Sequence, residues 1–130
     1  MTSTRTHRTV SATPDEVWAI LSDWAKVGDW FPGIADCVVD GETRTLTLGN
    51  GATIVETITQ VDPELRRLEY EVTGGDIQVD AHRATLDVLD VGGSTVVVSS
   101  VYAAPASRLK IFAGTLEPAL DGLEKVLGRS

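Results

Sequence analysis

The hydrophobic pattern of this chain changes period twice. Thr4 to Ala12 alternates weakly and has modest β character. Helical spacing follows: Val17, Ile20, Leu21 and Trp24 fall at i, i+3, i+4 and i+7, on one helix face. Thr13 suits the N-cap, Pro14 the first helical position, and Asp15 and Glu16 the first turn. Together they predict a helix over Pro14–Asp23. Asp23 to Gly33 then reads as a second short helix or turn, stopped by Pro32 and Gly33.

From Ile34 to Tyr102 the pattern is that of strands cut by turns. The runs are Ala35–Asp40, Thr43–Leu48, Ala52–Val61, Arg66–Thr73, Val79–Val91 and Ser94–Ala103. Asn50-Gly51 and Gly92-Gly93 are hairpin signals, and connections this short imply an antiparallel meander. In Leu68-Glu69-Tyr70-Glu71-Val72, alternation sends Leu68, Tyr70 and Val72 inward and the two glutamates to water. Beyond Pro105 a helical period returns. Leu109, Phe112, Ala113, Leu116, Leu120, Leu123 and Leu127 share one face of a helix over Ala106–Leu127. Pro118 is expected to kink it near Gly114–Thr115, and Gly114 and Gly122 weaken it further.

The predicted order is one strand, two short helices, six strands and one long helix, an α+β arrangement. A seven-stranded antiparallel sheet must cover one face, and only one long helix is available. The sheet is therefore expected to curl around that helix and to leave internal space where the helix does not fill it.

Composition narrows the function. The 130 residues of 13.9 kDa suit one domain over 1–130, hiding roughly two-thirds of the unfolded surface. Eleven Lys and Arg against 19 Asp and Glu give a net charge of −8. That field repels a phosphate backbone and an anionic membrane, so no nucleic-acid partner is expected. The charge is placed mainly on the solvated outer face of the sheet, at Glu69, Glu71, Asp87 and Asp90. The lone Cys37 reads as a small strand hydrophobe and permits no internal disulfide. No signal-peptide core and no run of about 18 apolar residues occurs, so a cytoplasmic protein without membrane insertion is expected. Phosphate-loop, nucleophile-elbow, dinucleotide and metal-ligand motifs are absent, so neither metal nor cofactor is expected.

Ala12-Thr13-Pro14-Asp15-Glu16-Val17-Trp18, Leu21-Ser22-Asp23, Trp30-Phe31-Pro32-Gly33 and Val55-Glu56-Thr57-Ile58, in this layout, resemble the START/Bet v 1-like (SRPBCC) superfamily of polyketide cyclase/dehydrase and lipid-transport proteins. The resemblance spans essentially the whole chain. It implies a helix-grip fold around a ligand cavity, in a superfamily of carriers, receptors, cyclases, hydrolases and chaperone regulators. One stretch resembles the plant abscisic acid receptors, where Glu56 matches a cavity glutamate and His82 a cavity tyrosine. Ile77-Gln78-Val79 replaces the receptors' latch, Gly49-Asn50-Gly51-Ala52 lacks their gate, and Ala35 stands where they place a lysine.

The family register places Glu56, Tyr70, His82 and Ser99 on four successive strands, all facing inward. Glu56 and His82 are then about 10 Å apart at the backbone, with Tyr70 beneath them. Glu56 shares its face with Ile54 and Ile58, where an unpaired carboxylate is costly and its pKa is raised. It is either a catalytic or ligand-contacting group, or a carboxylate solvated at the cavity mouth or bonded to backbone. His82 shares its side with Ala84 and Leu86 and is an acid, base or donor, or else a satisfied core histidine. Tyr70 either donates to a ligand carbonyl or packs as a core ring. Trp30 and Phe31 cover one end of the cavity or anchor the short helix to the sheet.

The leading expectation is a cofactor-independent cyclase or dehydratase acting on a hydrophobic, oxygenated ligand. Glu56 and His82 are its acid–base pair, with Tyr70, Ser99, Trp30, Phe31, Phe112 and Leu116 as ligand-binding residues. A non-catalytic carrier or sensor of a hydrophobic small molecule is the alternative. A third possibility is an interaction module whose cavity is filled by Leu116, Phe112 and Tyr70. The oligomeric state is left as monomer or homodimer, the dimer resting on Thr43–Leu48 as an edge strand.

Overall fold

A computed structural model describes residues 3–128. Met1, Thr2, Arg129 and Ser130, at the ends of the span 1–130, lie outside the described residues. The elements run β1 (Ser3–Val10), α1 (Pro14–Ser22), a 3-10 turn (Trp24–Asp29), β2 (Ile34–Asp40), β3 (Thr43–Leu48), β4 (Thr53–Asp62), β5 (Arg67–Gly75), β6 (Ala81–Val91), β7 (Ser94–Ala104), α2 (Ala106–Ala113) and α3 (Leu116–Leu127). This is the element order expected from the pattern, and the helix-grip arrangement that the resemblance implies.

The local signals act as read. Thr13 closes a capping box: its hydroxyl accepts from the Glu16 N–H at 3.2 Å, and the Glu16 carboxylate accepts from the Thr13 N–H at 3.4 Å. Gly92 and Gly93 have φ of 60° and 89°, the left-handed pair that a type I′ hairpin requires. Four strand starts after the short helices shift, β2 to Ile34, β4 to Thr53, β5 to Arg67 and β6 to Ala81. The β4–β5 turn is held by the Asp62 carboxylate, which accepts from the N–H groups of Glu64 and Leu65, and Arg66 takes φ 53°, so β5 begins at Arg67. Val79 and Asp80 belong to the β5–β6 loop, and β6 begins at Ala81.

The seven strands form one antiparallel sheet in the order β1-β7-β6-β5-β4-β3-β2. Thr43–Leu48 is therefore no edge. The two-residue turn after Asp40 folds β2 onto it, so the outer strands are β1 and β2. Register shifts in the β2–β3 and β4–β5 ladders mark bulges, which bend a sheet and increase its twist.

The C-terminal helix breaks where expected. α2 ends at Ala113 and α3 restarts at Leu116, which puts Pro118 in a first turn, where its missing N–H costs nothing. Gly122 also has a reason. A Cβ there would lie 2.0 Å from the Trp30 carbonyl oxygen, so only glycine lets α3 press onto the Trp30–Pro32 segment. Between α1, α3 and the sheet, Val17, Leu21, Leu68, Val88, Val97, Leu120 and Leu123 are sealed from solvent in one core cluster. At about 25 cal/mol per Å2 of apolar surface buried, such packing is the main term holding helices and sheet together. No helix among the described residues is long and apolar enough to cross a membrane.

Candidate functional site

The rest of the concave face is not filled. A cavity of about 240 Å3 lies between the sheet, the α2–α3 joint and the Trp30–Gly33 segment. Its lining is mostly apolar, as ligand pockets are. All eight residues expected at a site border it: Glu56, Tyr70, His82, Ser99, Trp30, Phe31, Phe112 and Leu116. The four polar ones stand on β4, β5, β6 and β7 in turn, the order that the family resemblance implied.

The direct partner of Glu56 is Arg44, not His82. The two face each other in the β3–β4 register, and Arg44 Nε donates to Glu56 Oε1 at 2.8 Å. Arg44 is only 2% exposed. Its Nη1 donates to the Trp24 carbonyl at 2.7 Å, and its guanidinium lies 4.7 Å from the centre of the Tyr70 ring, a cation–π contact. A buried ion pair needs such extra bonds to offset its desolvation. Burial pushes the Glu56 carboxyl above its ordinary value, against the opposing pull of Arg44. The Tyr70 hydroxyl is also pushed up, first by burial and then by the Glu56 charge.

Arg44 escaped the sequence reading although a signal was present. In Arg44-Thr45-Leu46-Thr47-Leu48, alternation puts Arg44 on the same side as Leu46 and Leu48, and all three line the cavity.

His82 occupies an opening in the sheet. β5 and β6 pair only from Arg67–Tyr70 to Asp87–Ala84. Beyond that the strands part, β5 continuing along β4 and β6 along β7. The Val72 N–H, which would otherwise lose its partner there, donates to His82 Nδ1 at 3.0 Å. The ring proton of the neutral imidazole is thereby on Nε2. Burial lowers the His82 pKa to about 4, so the ring is neutral near pH 7. Phe112 packs against it at 4.5 Å between ring centres. On its other side His82 borders a depression on the outer face of the sheet, with Glu71, Arg83 and Tyr102.

Several polar atoms are left over. Arg44 Nη2, Glu56 Oε2, the Tyr70 hydroxyl, His82 Nε2 and the Ser99 hydroxyl have no hydrogen-bond partner among the described residues. Yet no buried side-chain polar atom there goes unbonded, so these atoms retain accessible surface, and their side chains line the cavity. The arrangement offers N–H donors, two hydroxyls that donate or accept, and one carboxylate oxygen that accepts, to an oxygenated guest in apolar surroundings, where hydrogen bonds are electrostatically strong. Among the described residues no cluster of three or more His, Cys, Asp or Glu is placed to hold a metal ion.

Comparison with known proteins agrees with this architecture. No curated protein matches the chain. The protein XoxI from Bacillus cereus is similar in structure, with a TM-score of 0.87 at 21% identity over 97% of this chain and 95% of that one. A START superfamily protein from Mycobacterium smegmatis gives 0.81 at 18% identity, covering 98% of this chain and 97% of that one. Norcoclaurine synthase from Thalictrum flavum, solved in complex with dopamine and hydroxybenzaldehyde, gives 0.77 at 23% identity, covering 98% and 86%. At these identities the likeness is one of fold. The family model for polyketide cyclase / dehydrase and lipid transport matches residues 1–128, and the chain belongs to that family.

Proposed function

We propose that this protein takes a small, mostly apolar carbonyl compound into the cavity and moves a proton on it, as a cyclase or dehydratase does. The observation carrying this reading is the set of polar atoms on β3 to β7 that lack protein partners and border a largely apolar cavity. Glu56 Oε2 takes the proton from the carbon next to the carbonyl. Arg44 Nη2 and the Tyr70 hydroxyl donate to the enolate oxygen that forms. The proton then returns from Glu56 to carbon, or to a departing hydroxyl that leaves as water. His82 acts as a donor through Nε2–H, because its lone pair already accepts from Val72. About 240 Å3 is below the roughly 300–1,000 Å3 of drug-sized pockets, which favours a one- or two-ring guest over a long-chain lipid. That dopamine and hydroxybenzaldehyde occupy norcoclaurine synthase, of similar fold, supports guests of this size.

The test is deuterium uptake from D2O at the α-carbon of acetophenones, followed by NMR. Wild type is expected to exceed the buffer rate, and Glu56→Gln to lose the gain by about 100-fold or more. Equal rates for the two proteins would overturn the enzyme reading. A carrier is the second reading, favoured by Arg44, which already neutralises the Glu56 charge. It requires saturable binding of the same compounds without uptake.

A further inference from the structure

We infer that the Arg44–Glu56 pair selects guests without net charge that carry a hydroxyl beside a carbonyl, and rejects carboxylates of the same size. The inference rests on the reading of the cavity as a ligand site and adds its specificity. One guanidinium nitrogen and one carboxylate oxygen remain free on the two partners of a single ion pair: Nη2 of Arg44 and Oε2 of Glu56. A carbonyl fits the first and a hydroxyl the second, so an adjacent pair of these groups satisfies both atoms.

Charge balance does the rejecting. Arg44 and Glu56 cancel, and the other titratable groups on the lining, Tyr70 and His82, are both neutral at pH 7. No spare cation is left for a carboxylate, which would bring an unpaired negative charge into apolar surroundings next to Glu56. Arg44 is also not free to change partners. The Trp24 carbonyl fixes Nη1 and the Tyr70 ring stacks against the guanidinium.

Calorimetric titration with three probes tests this: 2-hydroxy-1-phenylethanone, acetophenone, which lacks the hydroxyl, and phenylacetate. Wild type is expected to bind the hydroxyketone about tenfold more tightly than acetophenone, since a hydrogen bond to a charged group is at stake, and phenylacetate more weakly still. Glu56→Gln leaves Arg44 as an unpaired cation, so phenylacetate should gain at least about tenfold and become the preferred probe. Circular dichroism checks that this variant is folded. The double variant Arg44→Met with Glu56→Met provides a second route: it should weaken both ketones and bind the hydroxyketone no more tightly than acetophenone. Wild type binding phenylacetate as tightly as the hydroxyketone, or a hydroxyl advantage surviving the double variant, would overturn the inference. Deuterium uptake could still be intact in that case, so the proposed function would stand without it. Absence of binding by all three probes would remove both.

Discussion

The two ends of the concave face are built on opposite terms. In the cluster between α1, α3 and the sheet the largest sealed side chains are all aliphatic: Leu21, Leu68, Leu120, Leu123, Val17, Val88 and Val97. Toward the α2–α3 joint lie Arg44, Glu56, His82 and Ser99, nearly as buried but polar. The difference is one of volume. Where side chains interdigitate fully, a charged group would have no partner and none is buried there; Thr95 is the one polar residue buried away from the cavity among the described residues. Where a cavity remains, polar atoms keep access to it, and charge is tolerated at the bottom of a hydrophobic fold. Stability resides at one end and chemical capacity at the other.

The largest expected effect tests the polar end. Arg44→Leu strands the Glu56 carboxylate and should cost about 4 kcal/mol in urea unfolding at pH 7, whereas replacing both residues by leucine should recover most of that. Equal losses in the single and double variants would mean that the pair is not coupled. At the aliphatic end, Leu123→Ala should cost about 3 kcal/mol, and Leu116→Ala, beside existing empty volume, about 1 kcal/mol. Similar costs would erase the contrast between the ends.

A third effect depends on pH. His82 titrates near 6.5 when unfolded and at about 4 in the fold, so the unfolded chain binds more protons between these values. Its contribution to stability is therefore intact at pH 7 and lost as pH falls, by about 2 kcal/mol at pH 5. His82→Asn, which keeps an acceptor near the Val72 N–H, should lack this acid-side slope when unfolding is followed at several pH values. An effect as small as that of Leu116→Ala lies outside both ends and sets the scale: Thr13→Ala removes the capping box and should cost about 1 kcal/mol in the same assay.

The fold was legible because its signals are local. Thr13 and Glu16 mark a helix start within four residues, and Gly92-Gly93 specifies a hairpin without reference to the rest of the chain. Glu56 and His82 were legible for a related reason: each breaks an apolar alternation on its own strand. Arg44 obeys the same parity, but its meaning depends on β3 lying inside the sheet with Glu56 as its opposite number. That is a fact of register between strands. The His82–Val72 bond was further out of reach. It exists because β5 and β6 part after Tyr70 and Ala84, and no residue on either strand announces a gap in its neighbour's ladder.

That gap bears on how the interior meets the outside. Elsewhere the sheet closes the cavity with hydrogen-bonded backbone, a wall that no point mutation removes. Beyond Tyr70 and Ala84 the ladder between β5 and β6 is missing, and the His82 side chain borders both the cavity and the outer depression. At this spot the boundary of the protein is written in a side chain, and a single codon can move it.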